Sequence, residues 1–102
     1  YERRRTSIKQ LTIPNSVTTI SEYAFSGCSA LTTVTIGLGA NYIGGYAFSN
    51  TGLTSATFYY TLGWWGATTS SATSGTSFTF STASEAAKLL KTTYLRYYWH
   101  RG

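Results

Sequence analysis

Aspartate and methionine are absent from these 102 residues, and cysteine, histidine and proline occur once each. Each scarcity closes a class of chemistry. The only carboxylates are Glu2, Glu22 and Glu85, whereas paired-carboxylate acid–base work needs two of them facing one substrate. Glu22 falls in a repeat and Glu85 in the tail, so no pair is expected. His100 stands among the last residues, where a frayed terminus is expected. A nucleophilic triad needs its base oriented by a third group, so no catalytic residues are assigned and the chain reads as a non-enzyme. One Cys and one His cannot assemble a zinc set, nor three scattered Glu a calcium cage. No phosphate-binding glycine loop occurs, and no cofactor or metal is implied. Cys28 has no intrachain partner. Its repeat equivalent, Thr51, favours a small buried apolar role over a reactive thiol. No apolar run approaches the roughly 20 residues of a membrane span, so membrane insertion is not expected. Lacking an initiator Met, the chain is expected to be a processed product or a piece of a longer protein.

Charge is scarce as well, at 11%, where soluble domains carry about a quarter. The net +5 is carried at the two ends: Arg3, Arg4, Arg5 and Lys9, then Lys88, Lys91, Arg96 and Arg101. A nucleic-acid surface needs a clustered basic face, so no nucleic-acid partner is expected. Abundant instead are Ser, Thr and aromatics, with nine Tyr, five Phe and three Trp. Hydroxyls must wet this surface, a usage that suits the exposed faces of strands, where Thr is favoured.

The chain repeats itself. Ile13 and Ile36, Ile20 and Ile43, and Phe25 and Phe48 are each 23 positions apart (36 − 13 in the first pair). One unit runs Ile8-x-x-Leu11-x-Ile13, then Ile20, then Tyr23-Ala24-Phe25. The next runs Leu31-x-x-Val34-x-Ile36, then Ile43, then Tyr46-Ala47-Phe48. A third opens one residue early, with Leu53-x-x-Ala56-x-Phe58. The alternation at 11 and 13, and at 34 and 36, is that of a strand with one face inward. Turns follow at Pro14-Asn15 and at Gly37-Leu38-Gly39, and a short helical turn is expected to carry Ala-Phe inward. No unit can bury its apolar face alone, so units must stack with strands in register.

The stretch Leu11 to Leu31, LTIPNSVTTISEYAFSGCSAL, closely resembles the BspA-type leucine-rich repeat of microbial surface proteins. The likeness covers roughly residues 8–58, and the tail from Trp64-Trp65 to Tyr97-Tyr98-Trp99 resembles more loosely the segment that ends many such proteins. The second unit departs from the pattern, with Gly37-Leu38-Gly39-Ala40 in place of Pro-Asn-Ser and Thr51 in place of Cys. The resemblance implies an α/β repeat solenoid: a short parallel β-sheet of stacked repeats with short helical turns, closed by a C-terminal cap containing one α-helix. It implies an extracellular or cell-surface protein of adhesion or host interaction, with host or matrix protein as partner and no catalytic residues.

Residues 1–58 are thus assigned to the repeats and 59–102 to the cap, in one continuous domain. Thr82-Ala83-Ser84-Glu85 is a capping box, and Ala83, Ala86, Ala87, Leu90 and Tyr94 follow at helical spacing, predicting a helix over about 83–94 that lies across the last rung. Residues 67–77 hold little to bury and predict an exposed loop. The first rung should present an open edge through which copies can self-associate.

Two surfaces are candidates for binding. Gln10, Thr12, Thr33, Thr35, Ser55 and Thr57 should stack into a polar ladder on the parallel sheet, either a binding face or simply good strand formers. Trp64, Trp65, Tyr98 and Trp99, with Tyr97, should either form an aromatic contact for carbohydrate or peptide or seal the cap. Three functions follow: an adhesion module, a purely structural cap of a longer solenoid, and a carbohydrate-binding surface.

Overall fold

The computed structural model describes residues 7–101; the basic residues Arg3, Arg4 and Arg5 lie outside them. Strands β1 (Gln10–Ile13), β3 (Thr33–Ile36) and β5 (Ser55–Phe58) form a three-stranded parallel sheet in that order. The register sets Leu11 beside Val34 and Ala56, and Ile13 beside Ile36 and Phe58. The 23-residue period therefore becomes lateral neighbours, and the early third unit is absorbed as a 22-residue step from Thr33 to Ser55. Leu31 and Val34 are fully enclosed, and burial of each such aliphatic side chain is worth about 1.5–3 kcal/mol.

The step of 22 is made between Cys28 and Leu31 in the first rung and between Thr51 and Leu53 in the second. In the longer version the Leu31 amide donates to the Cys28 carbonyl at 3.0 Å. In the shorter one the Leu53 amide donates to the Thr51 hydroxyl at 3.4 Å, which itself donates to the Phe48 carbonyl at 2.9 Å. A hydroxyl thus replaces the acceptor that the deleted residue would have positioned, which is why Thr stands where the first unit has Cys. Thr51→Val should destabilise the fold by about 1–3 kcal/mol, because a buried amide loses its acceptor. Urea denaturation checks it; Thr51→Ser should behave almost as the parent.

A second sheet has the order β2 (Thr19–Ile20), β4 (Tyr42–Ile43), β8 (Tyr98–Arg101), β6 (Trp64–Ala67), β7 (Thr76–Ser77). β2 and β4 are parallel; β8 is antiparallel to both β4 and β6. Residues 98–101 are therefore not frayed. They form the central strand of this sheet, because two edges, that of β4 and that of β6, both lack a partner without it. Arg101 fastens the end: its amide donates to Asn41, its Nε to the Ala40 carbonyl at 3.0 Å, and an Nη to Leu38 at 2.9 Å. Its guanidinium also lies 4.6 Å from the centre of the Tyr60 ring. The loop expected over 67–77 is exposed for most of its length, but its last two residues pair with β6.

The expected helical turns are not helical. Tyr23 and Tyr46 have φ of 58° and 59°, a left-handed conformation that breaks any helix. Alternate amides in this stretch divide their bonds. Ala24, Ser26 and Cys28 donate three residues back, while Tyr23, Phe25 and Gly27 donate sideways to Gly45, Ala47 and Ser49 of the next rung. The segment is a third ladder between rungs, with side chains stacked to match. Tyr23 lies 5.3 Å from Tyr46 at 8°, Phe25 lies 5.5 Å from Phe48, and the hydroxyls of Ser26 and Ser49 are 2.7 Å apart. Gly39 belongs to the same logic, since a Cβ there would strike the Asn15 carbonyl of the turn below.

Helix α1 (Ala83–Lys88) packs across β5. Thr82 caps it, accepting from the Glu85 amide at 3.2 Å. The Glu85 carboxylate accepts from the Ser81 hydroxyl at 2.9 Å, and these bonds from Ser81 and Thr82 hold its pKa below the ordinary value. The helix expected to Tyr94 is α-helical only to Lys88. It widens into a π-turn over Leu89–Thr93, closed by the Tyr94 amide on the Leu89 carbonyl at 2.8 Å. The core between β5, β6 and β8 is aromatic: Trp99 and Phe78 at 4.3 Å, Phe58 and Phe80 at 4.8 Å, Phe58 and Trp64 at 5.3 Å. Past the π-turn the Leu95 carbonyl accepts from Tyr46, extending the third ladder to the segment before β8.

At the other end β1 has a partner strand on one side only among the described residues. Beside it Leu11, Ile13, Val17, Ile20 and Phe25 line an open groove of about 310 Å3.

Candidate interaction surface

Alternation along β1, β3 and β5 turns one set of side chains to the core and the other out. The outward set forms two columns. Gln10 stands beside Thr33 and Ser55, and Thr12 beside Thr35 and Thr57. Gln10, Thr12 and Thr57 are exposed, and Thr33, Thr35 and Ser55 half-buried. Strands lie about 4.8 Å apart and alternate residues about 6.7 Å, so the columns make a flat lattice of hydroxyls and methyls with no charge in it.

The four aromatic candidates do not form one surface. Trp64 and Trp99 are 2% and 1% exposed, their indole N–H groups spent on the carbonyls of Tyr60 at 2.8 Å and Tyr94 at 3.2 Å. They are interior residues, which corrects their assignment as contacts: in β6 and β8 each stands on the inward side of the strand alternation. Trp65 and Tyr98 stand on the outward side and are half-buried.

Register then assembles what spacing did not reveal. Thr19, Tyr42, His100, Trp65 and Ser77 follow one another laterally across all five strands. His100 stacks on Trp65 at 4.4 Å and meets Tyr42 edge-on at 5.3 Å, and its Nε2 is enclosed without a hydrogen-bond partner. Tyr98 hydrogen-bonds the Glu22 carboxylate, which raises its pKa above the ordinary phenol value; burial, then Glu22, raises that of Tyr42. Tyr42 and His100 carry no sequence signal of their own beyond their places in alternating pairs with Ile43 and Trp99. Beyond β6 an open cleft of about 510 Å3 lies between residues 61–65 and 73–80.

Among the described residues no group of three or more His, Cys, Asp or Glu is placed to hold a metal. Cys28 is buried. No described helix is long and apolar enough to cross a membrane.

Rungs of alternating apolar strands, paired in parallel at a 22- to 23-residue step, are those of a leucine-rich-repeat protein. The family model described as BspA type leucine rich repeat region (6 copies) matches residues 3–90, and the chain belongs to that family. The match runs beyond the two clear repeats, past β5 and through β6, β7 and α1 to Leu90. No curated protein and no solved structure matches the chain.

Proposed function

We propose that this chain is a non-catalytic adhesion module of a microbial cell-surface or secreted protein, which binds host or matrix protein through the outward face of β1, β3 and β5. The repeats stack as a solenoid, and the face they present is its binding surface. One observation carries this reading: six polar side chains, from Gln10 to Thr57, held in two columns on three paired strands. Strands backed by a packed core lose little freedom on binding, which lowers the cost of association. The absence of charge from the two columns favours a polar, uncharged patch on the partner.

Surface plasmon resonance of the immobilised chain against a panel of extracellular-matrix and plasma proteins tests the proposal. At least one should bind saturably. A double variant Thr12→Arg, Thr35→Arg, which adds bulk and charge to the centre of the lattice, should weaken binding about tenfold or more, or about 1.4 kcal/mol. Silence across the panel, or unchanged affinity in the double variant, rules the reading out.

A further inference from the structure

We infer that the cap carries a second binding site, for a short uncharged glycan, in the cleft between residues 61–65 and 73–80. Its volume of about 510 Å3 lies within the roughly 300–1,000 Å3 of small-molecule sites. The lining selects the ligand class. None of the twelve lining residues is ionisable, and five are Ser or Thr, among them Thr61, Thr73 and Ser77. An anion would find no cation there, and a cation no carboxylate. A purely apolar ligand would desolvate whichever of these hydroxyls face the cleft without pairing them, at a cost for each. A sugar fits both parts of the lining. Its hydroxyls donate and accept as Ser and Thr hydroxyls do, each side free to rotate into a bond. Its C–H face carries partial positive charge and packs on an aromatic ring, whose face is negative.

Trp65 is one of the aromatic residues that line the cleft and is held in advance. β6 is paired on both sides, with β8 and with β7, and the indole is stacked on His100 at 17°. At the rim, Gly63 at φ +83° turns the chain so that Leu62 stands 81% exposed, apolar surface that a bound ligand would cover. The site is separate from the sheet face proposed above, so either can fail alone.

Tryptophan fluorescence of the 102-residue chain, titrated with cellotriose, maltotriose, laminaritriose and chitotriose, tests the inference, with a trigalacturonate as the charged comparison. A saturable change with at least one neutral trisaccharide is expected. Trp65→Ala should weaken it about tenfold or more, or about 1.4 kcal/mol. Because that variant also removes a packed ring, Thr73→Tyr provides the second arm: Thr73 is exposed on the loop, and a tyrosine there fills the cleft without entering the core. The same loss is expected, with an unchanged circular dichroism spectrum. Absence of a saturable change with every neutral glycan at millimolar concentration overturns the inference. So does full affinity in Thr73→Tyr, or a preference for the trigalacturonate.

Discussion

Trp99→Ala should cost about 3–5 kcal/mol, the range for removing a buried aromatic side chain. Against a total stability of about 5–15 kcal/mol for a domain, that is a large share, and the variant should be marginally folded. The expectation rests on where the residue sits. Trp99 lies on β8 between Ile43 of the repeats and Gly66 of the cap. Its ring touches those of Phe58, Trp64, Phe78 and Phe80. Truncation therefore empties the junction between the last repeat and the cap, and releases the bond to the Tyr94 carbonyl. Urea denaturation followed by near-ultraviolet circular dichroism should show a lower midpoint and a weaker aromatic signal. A loss below about 0.5 kcal/mol, the level of ordinary surface substitutions, would mean that β8 is not packed between β4 and β6.

Gly66→Ala is expected to destabilise the fold by about 1–3 kcal/mol, the cost of forcing one methyl into a packed core. Gly66 is buried in β6, and a Cβ there would fall on the Phe78 ring. That ring cannot simply swing aside. It is 3% exposed and stacked at 4.3 Å on Tyr94, with Trp99 at the same distance. Combining Gly66→Ala with Phe78→Leu makes room for the methyl, so the double variant should lose less than the two single losses added together. Additive losses in this cycle would show that the two residues do not meet.

Both effects sit beyond β5, where the sequence was least informative, and the contrast with the repeated strands has a physical basis. A repeated strand declares itself locally. Leu11 and Ile13, Val34 and Ile36, Ala56 and Phe58 alternate within four residues, and a constant period means that each position meets its own copy in the next rung. The ladder of polar residues from Gln10 to Thr57 was legible for the same reason. The capping box at Thr82 and Glu85 was legible because it spans a single turn. The π-turn was not, since buried or half-buried Ala86, Leu90 and Tyr94 at spacings of four satisfy an α-helix equally well. Nor were the left-handed tyrosines: the Tyr-Ala-Phe run reads as helical by composition, and only the sideways bonds from Tyr23, Phe25 and Gly27 to the next rung hold it otherwise.

The aromatic cluster divides along the same line. Trp64 and Trp65 are neighbours in the chain with opposite fates, as are Tyr98 and Trp99, because a strand turns successive side chains to opposite faces. Composition could announce aromatic residues in the tail without saying which of each pair faces in. That depended on β8 entering between β4 and β6, with Trp99 reaching back to Ile43 and to Gly66, pairings that no local pattern encodes. The sequence by itself determined the repeat period, the parallel strands, their inward and outward faces, and the start of the helix, all of them consequences of contacts between a residue and its near or periodic neighbours. Only the tertiary structure decided that the last strand closes the second sheet, that Trp64 and Trp99 are interior, and that Tyr42, His100 and Trp65 form one row, because those depend on which distant strand edges find each other once the core has formed.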